Sequence, residues 1–225
     1  MAAFFVKRRA KEFSLSTASA SQAPSPFRTR AEKIRDREEK REAVLRAAVR
    51  MFNARGYHAT SLDDVAASLG ISKPTIYHYL GNKEQVLIEC VTRGLQLLSA
   101  AADTARAQPG DGLARLRSVL RRYALVMMDD FGRCVVRTGD EFLSAEGAAL
   151  FRARKRAIDL SMRALIEDGI ADGSIAPLDV RMTAFTLAGA LNWPGRWHDP
   201  DGPLSAEQVA DSLVDILISG LAPRA

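Results

Sequence analysis

The chain has 225 residues, 47% of them hydrophobic and 26% charged, with a formal net charge of +5 at pH 7. That length holds one large domain or two small ones, and the apolar content is enough for a real core. No stretch approaches the ~20 consecutive apolar residues of a membrane span, and neither Cys90 nor Cys134 sits in a paired-cysteine or His-rich metal spacing, which excludes a membrane-spanning protein and a cysteine-built metal module. Low aromatic content with abundant Ala, Leu and Arg suits a helical protein. Two unpaired cysteines fit a reducing, cytoplasmic compartment, and Cys90 falls on the apolar side of a helix, where it reads as a buried thiol.

The charge is unevenly placed. Residues 1–35 carry +6, residues 36–92 carry zero and residues 93–225 carry −1. The basic character of the chain therefore comes from its N-terminal end and says little about the folded part. Residues 1–33 read as a disordered basic extension: Ser14 to Pro26 is rich in Ser, Ala and Pro without an apolar period. Its cluster Lys7, Arg8, Arg9 and Lys11 fits a non-specific DNA arm, and equally a solvated tail or residues upstream of the true start.

A first helix is predicted from Asp36 to Ala54, with Val44, Leu45, Ala48, Met51 and Phe52 as its apolar stripe and Gly56 as its stop. The next stretch, TSLDDVAASLGISKPTIYHYLGNK from Thr60 to Lys83, reads as two short helices around a tight turn. Ser61 is a good N-cap with Asp64 three residues on, in capping-box position. Leu62, Val65, Ala66 and Leu69 recur at helical spacing, and Gly70 ends the helix. Ser72 caps the second helix, and Pro74 lies in its first turn, where a missing N–H costs nothing. Helix, Gly-containing turn, helix is the helix-turn-helix pattern, whose second helix enters a major groove of DNA. In that second helix Ile76 faces back with Ile71 and Leu69, which leaves Lys73, Thr75, Tyr77 and His78 outward. From Ile71 to Lys83 there are two lysines and no acid. Such side chains suit phosphate oxygens and base edges.

A long helix is expected from Lys83 to about Ala107, apolar at Leu87, Cys90, Val91, Leu95, Leu98 and Ala102, ending at Pro109-Gly110-Asp111-Gly112. Leu113, Leu116, Leu120, Tyr123 and Met127 space out the next helix, which Phe131-Gly132 interrupts before a short segment from Arg133 to Phe142. A long helix follows from Ala145 to Asp172, with Leu150, Ala157, Ile158, Leu165 and Ile166 inward and Gly173 closing it. Pro177 suits the first turn of a helix carrying Val180, Ala184, Leu187, Ala188 and Leu191 to Trp193, where Pro194 kinks or ends it. Ser205 caps the last helix, with Gln208 in capping-box position and Val209, Leu213, Ile216 and Leu217 as its apolar face. The expectation is an all-α protein of about nine helices. It divides into the extension at 1–33, a three-helix helix-turn-helix DNA-binding domain at 34–82, and a helical regulatory and dimerisation domain at 83–225.

Arg41 to Val91 resembles the N-terminal domain of the TetR family of transcriptional regulators, most specifically in GYHATSLDDVAASLGISKPTIYHYLGNKE. One departure is Leu80, where that family usually has Phe. The resemblance implies that Thr60, Ser72, Lys73, Pro74, Thr75, Tyr77, His78 and Lys83 form the DNA-contacting set. In it, Thr60, Lys73, Tyr77, His78 and Lys83 meet phosphates, and Lys73, Pro74 and Thr75 lie nearest the base edges. Gly189 to Leu221 is similar to a subgroup with an Asn-Trp, Arg-Trp and Pro-Asp-Gly-Pro signature, whose members often sense CoA thioesters.

A sequence-specific regulator follows as an expectation: a homodimer through the last two helices, on a palindromic double-stranded operator, released by a small-molecule effector. The effector expected is a CoA thioester or another hydrophobic molecule. Met127, Phe131, Phe142 and Met162, with Met128, are adaptable apolar residues fit for a ligand cavity or simply for the core. Arg133, with Arg137 and Arg163, is a candidate for the anionic end of the effector. A ligand-independent DNA-binding adaptor of nucleoid type is the alternative. Catalysis finds no support: His58, His78 and His198 lie in no metal spacing and beside no nucleophile motif, and no phosphate loop appears. No cofactor or metal is expected.

Overall fold

The computed structural model describes residues 29–221. All regular structure among them is helical: α1 Arg30–Arg55, α2 Leu62–Ser68, α3 Lys73–Leu80, α4 Lys83–Arg106, α5 Gly112–Met128, α6 Asp130–Arg137, a 3-10 turn Asp140–Phe142, α7 Ala145–Ala171, α8 Val180–Asn192, α9 Pro194–Trp197 and α10 Ala206–Ser219. Ten α-helices stand where about nine were expected, because Pro194 starts a one-turn helix of its own directly after α8.

Short-range capping chemistry sets most boundaries. Ser61, Asn82 and Ser205 each make reciprocal capping boxes with the residue three on, and each such cap stabilises its helix by about 1 kcal/mol. α1 begins earlier than expected, at Arg30. Thr29 and Glu32 cap it in the same reciprocal way, Thr29 N to Glu32 Oε2 at 2.6 Å and Glu32 N to Thr29 Oγ1 at 3.2 Å. Residues 30–33, expected to belong to the extension, are thus helical, and the cluster Lys7, Arg8, Arg9 and Lys11 lies outside the described residues.

Two boundaries and one helix face differ from the sequence reading. The break after α5 falls at Asp129, whose carboxylate accepts from Phe131 N at 3.0 Å, so Phe131 and Gly132 lie inside α6 and interrupt nothing. α8 starts at Val180 under an Asp179 cap, Asp179 Oδ1 accepting from Met182 N at 2.8 Å, and Pro177 stays in the preceding turn. In α7 the inward residues of the first half are Ala148 and Phe151, while Leu150 is 43% exposed.

The core is one continuous cluster of buried apolar residues running from Val44 to Leu221. α4 and α5 are its spine. α4 packs on α5, α6 and α7, and α5 packs in addition on α8 and α10. Leu45, Ile76, Leu87, Leu116, Leu120, Leu165 and Leu191 are fully buried, each contributing about 1.5–3 kcal/mol of hydrophobic stabilisation. None of the described helices is long and apolar enough to cross a membrane.

Candidate nucleic-acid interface

α2 and α3 are joined by Leu69, Gly70, Ile71 and Ser72. Gly70 has φ +64°, the left-handed turn that glycine adopts without strain. Ser72 Oγ accepts from Thr75 N at 3.4 Å and lies 2.8 Å from the Thr75 hydroxyl. Ile76 and Leu80 anchor α3 in the core, so the leucine that replaces the usual Phe is packed at 5% exposure. Leu69 was expected inside with them but is 38% exposed, because the turn lifts it off the core before Ile71 packs back.

The anchoring decides what remains outside. Ser72, Lys73, Pro74, Tyr77 and His78 are exposed, and Thr75 is half-buried. No acid lies in the first turn of α3. The far end of α3 is fixed by Arg41 of α1, whose Nε donates to Tyr79 O at 3.2 Å while its guanidinium makes a bidentate pair with Glu89 of α4. This one side chain ties three helices together. Sequence periodicity gave no hint of it, since an isolated arginine on a helix reads as solvated surface.

Two of the expected phosphate contacts are engaged by the protein itself, Thr60 in its interior and Lys83 at its surface. Thr60 is 1% exposed, and its hydroxyl is 3.0 Å from Gly56 O and 3.3 Å from Met51 O. It closes the end of α1, so its side chain does not face solvent as expected. Lys83 is half-buried: its Nζ sits 4.3 Å from the Tyr57 ring centroid and 3.4 Å from His58 O. Burial lowers its pKa below the usual lysine value. Lys73 is fully outside but engaged with Asp63 of α2, Nζ to Oδ2 at 2.6 Å, and the hydrogen bond to Asp63 raises its pKa.

The expected ligand set does not form one site. Met127 is fully buried in the core and Phe131 is 2% exposed under the guanidinium groups of Arg46 and Arg93. Arg133 donates to Met128 O at 2.9 Å and to His198 O at 2.7 Å, a tie between α6 and the turn after α9. Phe142 packs edge-on against His58 at 5.1 Å and against Tyr57 at 5.8 Å, between the reader and the remainder. Arg163 pairs with Asp159 and stacks on Phe185. Only Met162 lines the cavity of about 590 Å³ among α4 to α9, whose apolar walls include Leu95, Leu98, Val135, Val136 and Ile158 and whose polar groups include Thr138, Lys155, Arg156, Asn192 and Arg196. Tyr123 completes it, donating to Asn192 Oδ1 at 3.0 Å, with burial pushing its pKa up to about 12. Lys155 and Arg156 of α7 escaped the sequence reading because they meet Arg196 of α9 only in the fold.

Residues 44–90 match the profile described as bacterial regulatory proteins, tetR family, and residues 109–221 match that of the tetracyclin repressor-like C-terminal domain. The chain belongs to the TetR family. It is a DNA-binding transcriptional regulator, as its relatives are, and not an enzyme. The HTH-type transcriptional repressor KstR2 of Mycolicibacterium smegmatis is 30% identical over 194 residues, 81% of this chain and 90% of that protein. Among solved structures, the TetR family regulator PfmR of Thermus thermophilus is 32% identical with a TM-score of 0.72, over 80% of this chain and 99% of that one. AibR in complex with isovaleryl coenzyme A and operator DNA is 28% identical with a TM-score of 0.69, over 80% of this chain and 98% of that one.

If Lys73 contacts DNA, its pair with Asp63 competes with the duplex, because the duplex must take it from a carboxylate that itself repels phosphates. Asp63→Asn is expected to tighten binding to every duplex by about threefold at low salt, with the gain fading as salt screens it. Anisotropy titrations at two salt concentrations check this; unchanged or weaker binding would show that Lys73 gains nothing from release.

Proposed function

We propose that this protein is a cytoplasmic homodimeric repressor that reads a palindromic operator with α3 and leaves it when an effector enters the cavity between α4 and α9. The reader comprises residues 34–82 and the regulatory region 83–225, whose first helix, α4, starts at the boundary. Base edges meet Lys73, Pro74 and Thr75, while Ser72, Tyr77, His78 and Lys83 hold phosphates. The effector has an apolar body and an anionic end, a CoA thioester being the form that fits best. The cavity's apolar walls and its Lys155, Arg156 and Arg196 support that class, as does the likeness to AibR.

One observation carries the coupling. α6 walls the cavity with Val135 and Val136 and at the same time holds α1. Arg50 Nε donates to Asp130 Oδ2 at 2.8 Å, Asn53 Nδ2 donates to Asp130 O at 2.8 Å, and Arg137 donates to Asn53 O. A ligand that shifts α6 must therefore move the base of the reader or break these bonds. Such a ligand weakens DNA binding by the factor by which DNA weakens ligand binding.

The test is selection of bound fragments from genomic DNA by the purified protein, followed by acyl-CoA titration of the recovered duplex. An inverted repeat should be enriched, and the acyl-CoA should release it. Thr75→Ala should change the enriched bases. Lys83→Ala should weaken all duplexes alike, by roughly tenfold, and lower the salt slope by about one. Recovery of no common sequence would favour an adaptor without specific readout.

A further inference from the structure

Cys90 of α4 and Cys134 of α6 are free and buried, and they are the only cysteines in the chain. The two thiols are near enough for each to shift the other's pKa. The helices bearing them pass at backbone contact: a Cβ on Gly94, one turn beyond Cys90, would lie 2.7 Å from Phe131 O and 2.6 Å from Val135 Cγ2. The pair also lies beside an opening. Cys134 lines a cavity of about 350 Å³ between α1 and α6, together with Asn53, Tyr57, Arg137, Phe142 and Arg196.

The surroundings distinguish the two sulfurs. Interaction with Cys90 holds the Cys134 thiol below its ordinary pKa against its burial, with smaller help from Thr138 and Arg137. Cys134 Sγ is 3.7 Å from Thr138 Oγ1. The same contact and burial hold Cys90 well above its ordinary pKa. Cys134 is thus the more acidic of the two thiols and the one beside Arg137 and a cavity, and Cys90 waits as its partner, the arrangement in which a sulfenic acid is captured as a disulfide.

We propose that Cys90 and Cys134 are an oxidative modification site, at which a hydroperoxide closes a disulfide between α4 and α6 and weakens DNA binding. The Cys134 thiolate attacks one peroxide oxygen. An S–O bond forms, the O–O bond breaks, and the departing oxygen takes a proton to leave as an alcohol, or as water when the oxidant is hydrogen peroxide. The Cys90 sulfur then attacks the Cys134 sulfenic sulfur. The S–S bond forms, the S–O bond breaks, and the hydroxyl leaves as water with the Cys90 proton. The two thiols lose two electrons and the hydroperoxide gains them.

The consequence follows from where the link falls. α4 begins at Lys83 beside the reader, and α6 is bonded to α1 through Asp130 and Arg137. The helices already meet at Gly94, so drawing the two sulfurs to the ~2.05 Å of a disulfide tilts one against the other about that contact. That tilt is transmitted to the base of α3.

The experiment uses the full chain, reduced and then treated with a slight excess of hydrogen peroxide. Intact mass should fall by about 2 Da and return with dithiothreitol. Binding to a fluorescent duplex, selected from a random pool by the reduced protein, should weaken by about tenfold and recover on reduction. Cys134→Ser should be inert to peroxide, and Cys90→Ala should stop at a sulfenic acid that a dimedone probe labels. The wild-type mass needs no variant to fold. An unchanged mass, or crosslinking between chains instead of within one, overturns the site. A disulfide that leaves duplex affinity unchanged overturns its effect on DNA binding. The DNA measurement rests on the reader assignment above, whereas the mass does not, so a protein that selects no duplex but forms the disulfide separates the two failures.

Discussion

Met182→Glu combined with Ile216→Glu is expected to leave a folded monomer whose affinity for the full operator falls by at least a hundredfold, about 2.7 kcal/mol. The reason lies in the faces that α8 and α10 leave uncovered. Met182, Phe185 and Trp193 are 58%, 47% and 62% exposed along one stripe of α8, and Ile216 of α10 is 69% exposed between Ser212 and Ser219. Apolar surface of that extent on two neighbouring helices is what the proposed dimer would cover. A two-fold contact uses the same patch on both copies, so two substitutions place four like charges in one interface. None of the altered side chains packs in the core of its own chain, so helical content should not change. Light scattering with anisotropy on the selected duplex checks both halves. A dimer that persists, or a monomer that binds the whole palindrome as before, would remove α8 and α10 from the association surface.

Gly132→Ala is expected to cost at least ~3 kcal/mol and to lower the melting temperature by roughly 6–12 °C. Gly132 is buried in α6, where a Cβ would lie 1.8 Å from Val126 O and 2.8 Å from Met127 Cα. Both are backbone atoms of the last turn of α5, so no side chain can rotate away. α6 would have to retreat from α5 while its Asp130 and Arg137 hold it on α1. Loss of operator binding beyond that caused by unfolding should accompany the loss of stability. Thermal unfolding by circular dichroism measures the first; a melting temperature within about 2 °C of wild type would mean that the α5–α6 contact is far softer than its geometry implies.

The same glycine shows why part of the site was illegible in the sequence. Beside Phe131 it reads as a helix breaker. In the fold it is a helical residue kept small by a neighbour six positions away in sequence but on another helix. Thr60 is similar: its motif position suggests a phosphate contact, and its burial against Gly56 O and Met51 O appears only when α1 closes over it. Phe142 reads as lining for the effector cavity and lies outside that cavity, wedged against Tyr57 and His58. Each misreading concerns a side chain whose partner lies outside its own helical turn.

The reader helix was legible for the opposite reason. Ser61 with Asp64, Gly70, Ser72 and Pro74 act within one turn of their own positions, and Ile76 and Leu80 follow helical spacing, so the outward set Lys73, Tyr77 and His78 was fixed by local chemistry. The sequence by itself thus determined the all-helical class, the caps of α2 and α3 and the face that α3 leaves exposed, because capping bonds and periodicity span only a few residues. Tertiary structure alone decided the Arg41 tie among α1, α3 and α4, the cavity that draws on six helices, and the meeting of Cys90 with Cys134. These depend on helix packing distances, which no local pattern encodes.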